Sequence, residues 1–272
     1  MYNNVSLQAT KLVEMASRVK KNSYRTKLIT ITSGKGGVGK STITSNLAFL
    51  LSQKGYKVAV LDADIGLANL QVLFDVKPQN SFFDFIEGKI TLKESITKTS
   101  YENIYLFAGI SSFEYSSFKN SFVFSNLIKD ILSMDSFDFL LIDTGAGLND
   151  YVKEFLAISD NILAVTSTDP SALTDVYALM KMLSINKSKL MLCFNHTKTY
   201  KIGETITNSL ITLGKKNSLK SDFMVKYLGN ISSCTNIATT SRLRKIFTNE
   251  FRSDEVTFQM EFVLKNLLSS IK

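Results

Sequence analysis

Apolar positions along the chain follow two alternating rhythms. Short runs rich in β-branched and aromatic residues occupy 28–33, 57–62, 104–108, 137–143, 161–166, 189–195 and 224–228. Most are nearly uninterrupted, the pattern of strands covered on both faces as in a parallel sheet. Between them, residues 42–53, 150–158 and 171–183 carry apolar side chains at helical spacing. Strand–helix alternation with short connections of Gly, Asn and Asp predicts an α/β fold, a doubly wound, mostly parallel sheet flanked by helices. With 2 Pro and no Gly/Ser linker beyond residue 27, residues 28–272 are expected to form one domain.

Two amphipathic segments flank that pattern. Val5, Ala9, Leu12, Ala16 and Val19 recur at spacings of three and four, which predicts a helix over residues 4–19. The basic, polar stretch 18–27 would tether it to the first strand, so residues 1–27 form a unit that either docks on its own domain or binds a partner. Near the C-terminus, a helix over about 254–272 carries Val256, Met260, Val263, Leu264, Leu267, Leu268 and Ile271 on one face. Phe258 and Phe262 make a smaller stripe opposite, suited to lipid or to a partner if the larger face packs on the sheet. Lys265 and Lys272 are balanced by Glu255 and Glu261, so attraction to anionic lipid would be weak. A wholly buried closing helix is the competing expectation.

Composition narrows the class. The chain has 272 residues, 44% hydrophobic and 21% charged, which excludes disorder over most of its length. No apolar run spans a bilayer and no signal-peptide core opens the chain, so a cytoplasmic protein with peripheral membrane contact is expected. Cys193 and Cys234 are too far apart for a CxxC site, and His196, the single histidine, cannot build a multi-histidine metal centre. The net charge of +8 divides into +5 over residues 1–27, −6 over 28–180 and +9 over 181–272. An acidic middle between basic ends does not by itself argue for nucleic acid.

The chemistry enters directly after the first strand, as Gly34-Lys35-Gly36-Gly37-Val38-Gly39-Lys40-Ser41-Thr42 followed by a helix. This is the GxxxxGK-Ser/Thr phosphate loop in the strand–loop–helix context it requires. Its backbone N–H groups close around phosphates, Lys40 is expected to reach the β/γ-phosphates, and Ser41 to ligate Mg²⁺. Asp62 and Asp64 at the end of the second strand are expected to point apart, and Asp143 closes a buried apolar strand. Three carboxylates at the carboxyl edge of a sheet beside a phosphate loop are the usual Mg²⁺ and water machinery. The guanine-reading NKxD tetrad fails at its last position in Asn186-Lys187-Ser188-Lys189, so ATP is preferred to GTP.

The loop's second lysine, Lys35, resembles the KGGVGKS loop of the MinD/ParA family of dimeric ATPases. Asp62-Ala63-Asp64-Ile65-Gly66-Leu67-Ala68-Asn69-Leu70 resembles that family's DxDxGxxNL segment, and Leu140 to Gly147 its Walker B segment. The resemblance implies that Lys35 reaches the partner's nucleotide across an ATP-bound homodimer. It also implies that Asp62 and Asp143 serve the metal, that Asp64 orients the attacking water, and that Asn195 reads adenine. Cluster-ligating cysteines of the family's iron–sulfur members are missing. Within the family, the run 62–73, Asp143-Thr144-Gly145-Ala146-Gly147 and Thr168 to Ala178 are similar to FlhG (FleN), the regulators of flagellar number and placement. Those relatives carry an N-terminal DQAxxL motif whose Gln helps activate the FlhF GTPase. Here Gln8, Ala9 and Leu12 match while Leu7 replaces Asp, so Gln8 is the expected contact to FlhF. The alternative is a ParA-like ATPase binding DNA through Lys215, Lys216, Lys220, Lys226, Arg242, Arg244 and Lys245.

Overall fold

A computed structural model of the chain describes residues 24–65, 69–109, 122–199, 201–217 and 219–271. The helix expected over residues 4–19, with Gln8, lies outside the described residues. All seven expected strands form, as β1 (Lys27–Ser33), β2 (Val58–Ala63), β4 (Ile104–Phe107), β5 (Phe139–Ala146), β6 (Ile162–Thr166), β7 (Lys189–Thr197) and β8 (Met224–Ser232). An eighth, β3 (Ile96–Lys98), was not expected, because three residues with one apolar side chain carry no readable period. The sheet order is β3-β4-β2-β5-β1-β6-β7-β8, and every pairing is parallel except that of β3 with β4.

The central strands are apolar on both sides because both sides are covered. One face of the sheet, with Ile29, Ile31, Val60 and Leu141, packs against α1 (Lys40–Gln53) and a C-terminal helix. The other face, with Ala59, Leu61, Leu140 and Ile142, packs against α2 (Val123–Ser133) and Phe155 of α3 (Asp150–Ile158). Further along, β6 and β7 pack on α3, on α4 (Pro170–Leu183) and on Leu210 of α5 (Ile202–Lys216). Helix α1 is buried nearly all round, from Ile43 to Ser52, as expected of the helix that must hold a phosphate loop still.

After β8, α6 (Thr235–Arg242) returns over the carboxyl edge, and α7 (Glu255–Leu268) closes the sheet. Asp254 caps α7 by accepting from the Val256 N–H at 2.8 Å. Val256, Met260, Val263, Leu264 and Leu267 face the core, while Phe258 and Phe262 stay 55% and 46% exposed. The two stripes read from the spacing are therefore on opposite sides, and the wholly buried alternative does not hold. Helix α7 also seals the edge of the sheet: Asn266 Nδ2 donates to the Leu228 carbonyl, and Gln259 Oε1 accepts from the Ser232 N–H. Sealing an edge strand this way removes a template for unwanted strand pairing. Among the described residues, no helix is long and apolar enough to cross a membrane.

Candidate functional site

The phosphate loop joins β1 to α1, and its form follows from what surrounds it. Helix α1 begins at Lys40 behind Gly39, with no capping side chain and no acidic residue in its first turn. Among the described residues, the first backbone N–H past Gly39 to be paired with the loop is that of Ile43, which donates to the Gly39 carbonyl. An uncapped helix N-terminus of this kind is an anion site. Gly39 has φ +87°, and a Cβ there would lie 2.3 Å from Asn195 Nδ2, so only glycine fits.

Lys40 is 7% exposed, and its Nζ lies 3.0 Å from Asp143 Oδ1. The Thr44 hydroxyl, one turn on, donates to the same oxygen at 2.9 Å. Asp143 Oδ2 is buried with no hydrogen-bond partner. An unsatisfied carboxylate oxygen under a phosphate loop is costly unless a ligand completes it, so the site is shaped for a further donor or cation. In the register of β2 on β5, Asp62 stands opposite Asp143. Burial first, and the neighbouring Asp143 second, push the Asp62 carboxyl up to about 7.

Asp62 and Asp64 do part, although two residues an even number apart on one strand share a face. The strand ends at Ala63 and the chain turns, leaving Asp62 1% exposed beneath while Asp64 lines the cleft. Asp62 accepts from the backbone N–H groups of Asp64 (3.3 Å) and Leu70 (2.9 Å), so it also shapes the segment that carries Asp64. Asp64 is half-buried, and that burial raises its pKa against the opposing pull of Lys40.

The cleft has a volume of about 740 Å³ and is lined by Gly36, Gly37, Gly39, Lys40, Ser41 and Thr42 of the loop together with Asp64. Val38 is buried, and its carbonyl accepts from Asn195 Nδ2 at 2.9 Å. Asn195 does not line the cleft. It tethers the loop from behind, with its Oδ1 buried and unpartnered. Gly34 packs against Asp175, where a Cβ would meet Asp175 Cβ at 2.3 Å. Lys35 turns the other way: its Nζ is 2.9 Å from Asp169 Oδ2 and 2.7 Å from Ser171 Oγ at the start of α4. That hydrogen bond is the leading cause that lowers the Asp169 pKa.

Four residues escaped the sequence reading as parts of this site. Thr44 had a signal, lying one helical turn after Lys40, and Asp169 had one as the cap before Pro170. Tyr151 and Arg242, which also line the cleft, had none. Among the described residues, no three His, Cys, Asp or Glu side chains cluster to hold a metal by themselves. Mg²⁺ needs no such cage, because it keeps much of its water and takes phosphate oxygens with one or two protein ligands. Ser41 Oγ beside the Lys40–Asp143 pair and the unpartnered Asp143 Oδ2 fit that mode. Cys193 is fully buried, its thiol pushed up to about 12, and Cys234 stands at the N-cap position of α6 with no side-chain capping bond.

The seven basic residues weighed for DNA do not make one surface. Lys215, Lys216 and Lys226 lie at the C-terminal end of α5 and the start of β8, at the amino edge of the sheet. Arg242 lines the cleft at the carboxyl edge, Arg244 is 3.5 Å from Asp75, and Lys245 pairs with Glu250.

Comparison with known proteins agrees with this geometry. The ParA family, described as "NUBPL iron-transfer P-loop NTPase", matches residues 25–268. The chain is 36% identical over 252 residues to the flagellum site-determining protein YlxH of Helicobacter pylori, covering 92% of this chain and 85% of that protein. It is 34% identical over 158 residues to the antiactivator FleN of Pseudomonas aeruginosa, covering 58% and 56%. Its fold is similar to that of septum site-determining protein MinD of Pyrococcus horikoshii in complex with Mg-ADP. The TM-score there is 0.71 at 23% identity, covering 90% of this chain and 98% of that one. The chain belongs to the ParA/MinD family of P-loop nucleoside triphosphatases, and FlhG-type flagellar proteins are among its relatives.

Proposed function

We propose that this chain is an ATP-hydrolysing switch that regulates the number and placement of flagella through its state of assembly. The observation that carries the reading is a division of labour between two lysines. Lys40 is sequestered against Asp143 under a complete phosphate cradle, whereas Lys35, 43% exposed, stands at the surface next to it. The flagellar output is supported by similarity to a flagellum site-determining protein across 92% of the chain.

In this reading the loop from Gly34 to Thr42 binds the phosphates of ATP, and Lys40 exchanges part of its contact with Asp143 for them. Mg²⁺ held by Ser41, with Asp62 and Asp143 acting through its water, supplies charge neutralisation at the phosphate oxygens. Asp64, the carboxylate that reaches the cleft, orients the attacking water. Asn195 Oδ1, buried behind the loop and unpartnered in the nucleotide-free chain, turns to accept from the amine of adenine, a contact that the carbonyl of guanine would oppose. Lys35 leaves Asp169 to engage the partner's phosphates in an ATP-bound homodimer, and hydrolysis removes the reason to stay paired. Phe258 and Phe262 give weak contact with the cytoplasmic face of the cell membrane, and Gln8 acts on an FlhF-type GTPase.

Sedimentation velocity with Mg-ATP and with Mg-ADP tests the switch, a dimer being expected only with ATP. A monomer under both conditions would sink it. Electron micrographs of cells carrying Lys40→Ala test the output, and unaltered flagellar number and position would refute the flagellar role.

A further inference from the structure

Tyr151 lines the phosphate cleft, yet neither the loop motif nor the three carboxylates account for it. It sits in the first turn of α3, where Asn149 caps the helix by accepting from the Val152 N–H. Its ring packs against both core clusters on that side of the sheet, so the side chain is anchored while its hydroxyl reaches the cleft. The neighbour that locates the hydroxyl is Gly145 on β5. A Cβ at that position would lie 2.8 Å from Tyr151 Oη and 3.2 Å from Asp64 Oδ1. The phenol and the carboxylate thus converge from two elements on the one spot of the strand without a side chain.

A tyrosine hydroxyl can donate a hydrogen bond, and an ionised carboxylate only accepts. We propose that Tyr151 is a positioning residue for Asp64, its O–H donating to the carboxylate and fixing which oxygen faces the attacking water. Gly145 is the third part of the device, because its missing side chain leaves room beside the strand for both groups. The inference rests on the reading of Asp64 as the residue that orients water. A rigidly packed aromatic ring is a suitable holder, since its hydroxyl moves little once the ring is fixed.

Steady-state ATP hydrolysis and fluorescent-nucleotide binding on the full chain test this. Tyr151→Phe keeps the ring, and is expected to lower kcat about ten- to hundredfold, the scale of one hydrogen bond to a charged group. KM and nucleotide affinity should stay unchanged. Gly145→Ala places a methyl group against both oxygens and should give a similar loss. The double variant should be no slower than either single one, because both remove the same contact. Wild-type kcat in Tyr151→Phe, or losses that multiply in the double variant, would overturn the proposal. Tyr151→Phe decides alone if Gly145→Ala does not fold. Asp64→Ala separates the two levels: if it abolishes turnover while Tyr151→Phe is normal, only the positioning role fails. If Asp64→Ala retains turnover, the hydrolytic reading of Asp64 fails, and this inference with it.

Discussion

Lys35 and Asp169, 134 positions apart in sequence, meet at 2.9 Å in a single chain. The lysine proposed to act on a partner's nucleotide is therefore held by its own subunit, at the cap of α4. Lys35→Ala is expected to bind ATP normally yet fail to dimerise and to hydrolyse it. Normal turnover in that variant would exclude the role in trans. Asp169→Asn weakens the retaining contact, so its ATP-dependent dimer should form at lower protein concentration, as read by sedimentation.

Removing the other lysine should act on stability as well as on binding. Lys40→Ala leaves Asp143 buried opposite Asp62 without its cation. Breaking a buried ion pair by deleting one partner costs about 3–5 kcal/mol. Denaturant unfolding should show a loss on that scale together with loss of nucleotide binding.

The raised pKa of Asp62 carries a pH signature in the absence of Mg²⁺ and nucleotide. Between the ordinary carboxylate range near 4 and its folded value of about 7, the folded chain holds a proton that the unfolded chain has released. This group therefore makes stability fall as pH rises through that window and level off above it. Asp62→Asn still offers an acceptor to the Leu70 N–H and removes the charge beside Asp143. Its thermal midpoint should exceed the parent's at pH 8 and change less between pH 5 and 7. Parallel curves for the two proteins would refute the assignment.

Gly39 is predicted to tolerate no side chain. Gly39→Ala forces a left-handed backbone on a residue with a Cβ and pushes that carbon into Asn195. The strain alone costs about 1–3 kcal/mol, and displacement of Asn195 releases the Val38 carbonyl. Lower thermal stability and at least tenfold weaker ATP binding, on the scale of that strain, are expected together.

The two faces of α7 should separate in mutagenesis. Leu264→Ala, on the buried face, should cost about 2–5 kcal/mol. Phe258→Ser combined with Phe262→Ser should leave stability within about 0.5 kcal/mol per site and abolish ATP-dependent co-sedimentation with anionic liposomes. Equal co-sedimentation of parent and variant would remove these residues from any membrane contact.

Much of the fold was legible because its signals are local. Uninterrupted apolar runs such as Phe139–Ile142 announce strands covered on both faces, and the phosphate loop is contiguous. What escaped depends on contacts between distant segments. Asn195 reaches the Val38 carbonyl across 157 positions, so the residue expected to read a base also holds the loop. The strand carrying it runs on to Thr197 through a break in register at the exposed His196, whose φ is +56°. The divergence of Asp62 and Asp64 depends on where β2 stops, which periodicity alone does not mark. Tyr151 stands out only once Gly145 and Asp64 are folded around it.

The bonds from Gln259 and Asn266 to the last strand limit how α7 can serve as an anchor. A helix that peeled away to sink into lipid would strip the cover from β8 and expose Leu228 and Ile231 of that strand to water. A bilayer contact through α7 would thus be made by the docked helix, with two exposed aromatic rings as its grip. So small a grip holds poorly in one copy. Two copies joined side by side bind with the product of their individual affinities scaled by effective concentration. Retention at the membrane would then report pairing itself, with no need for a separate sensor.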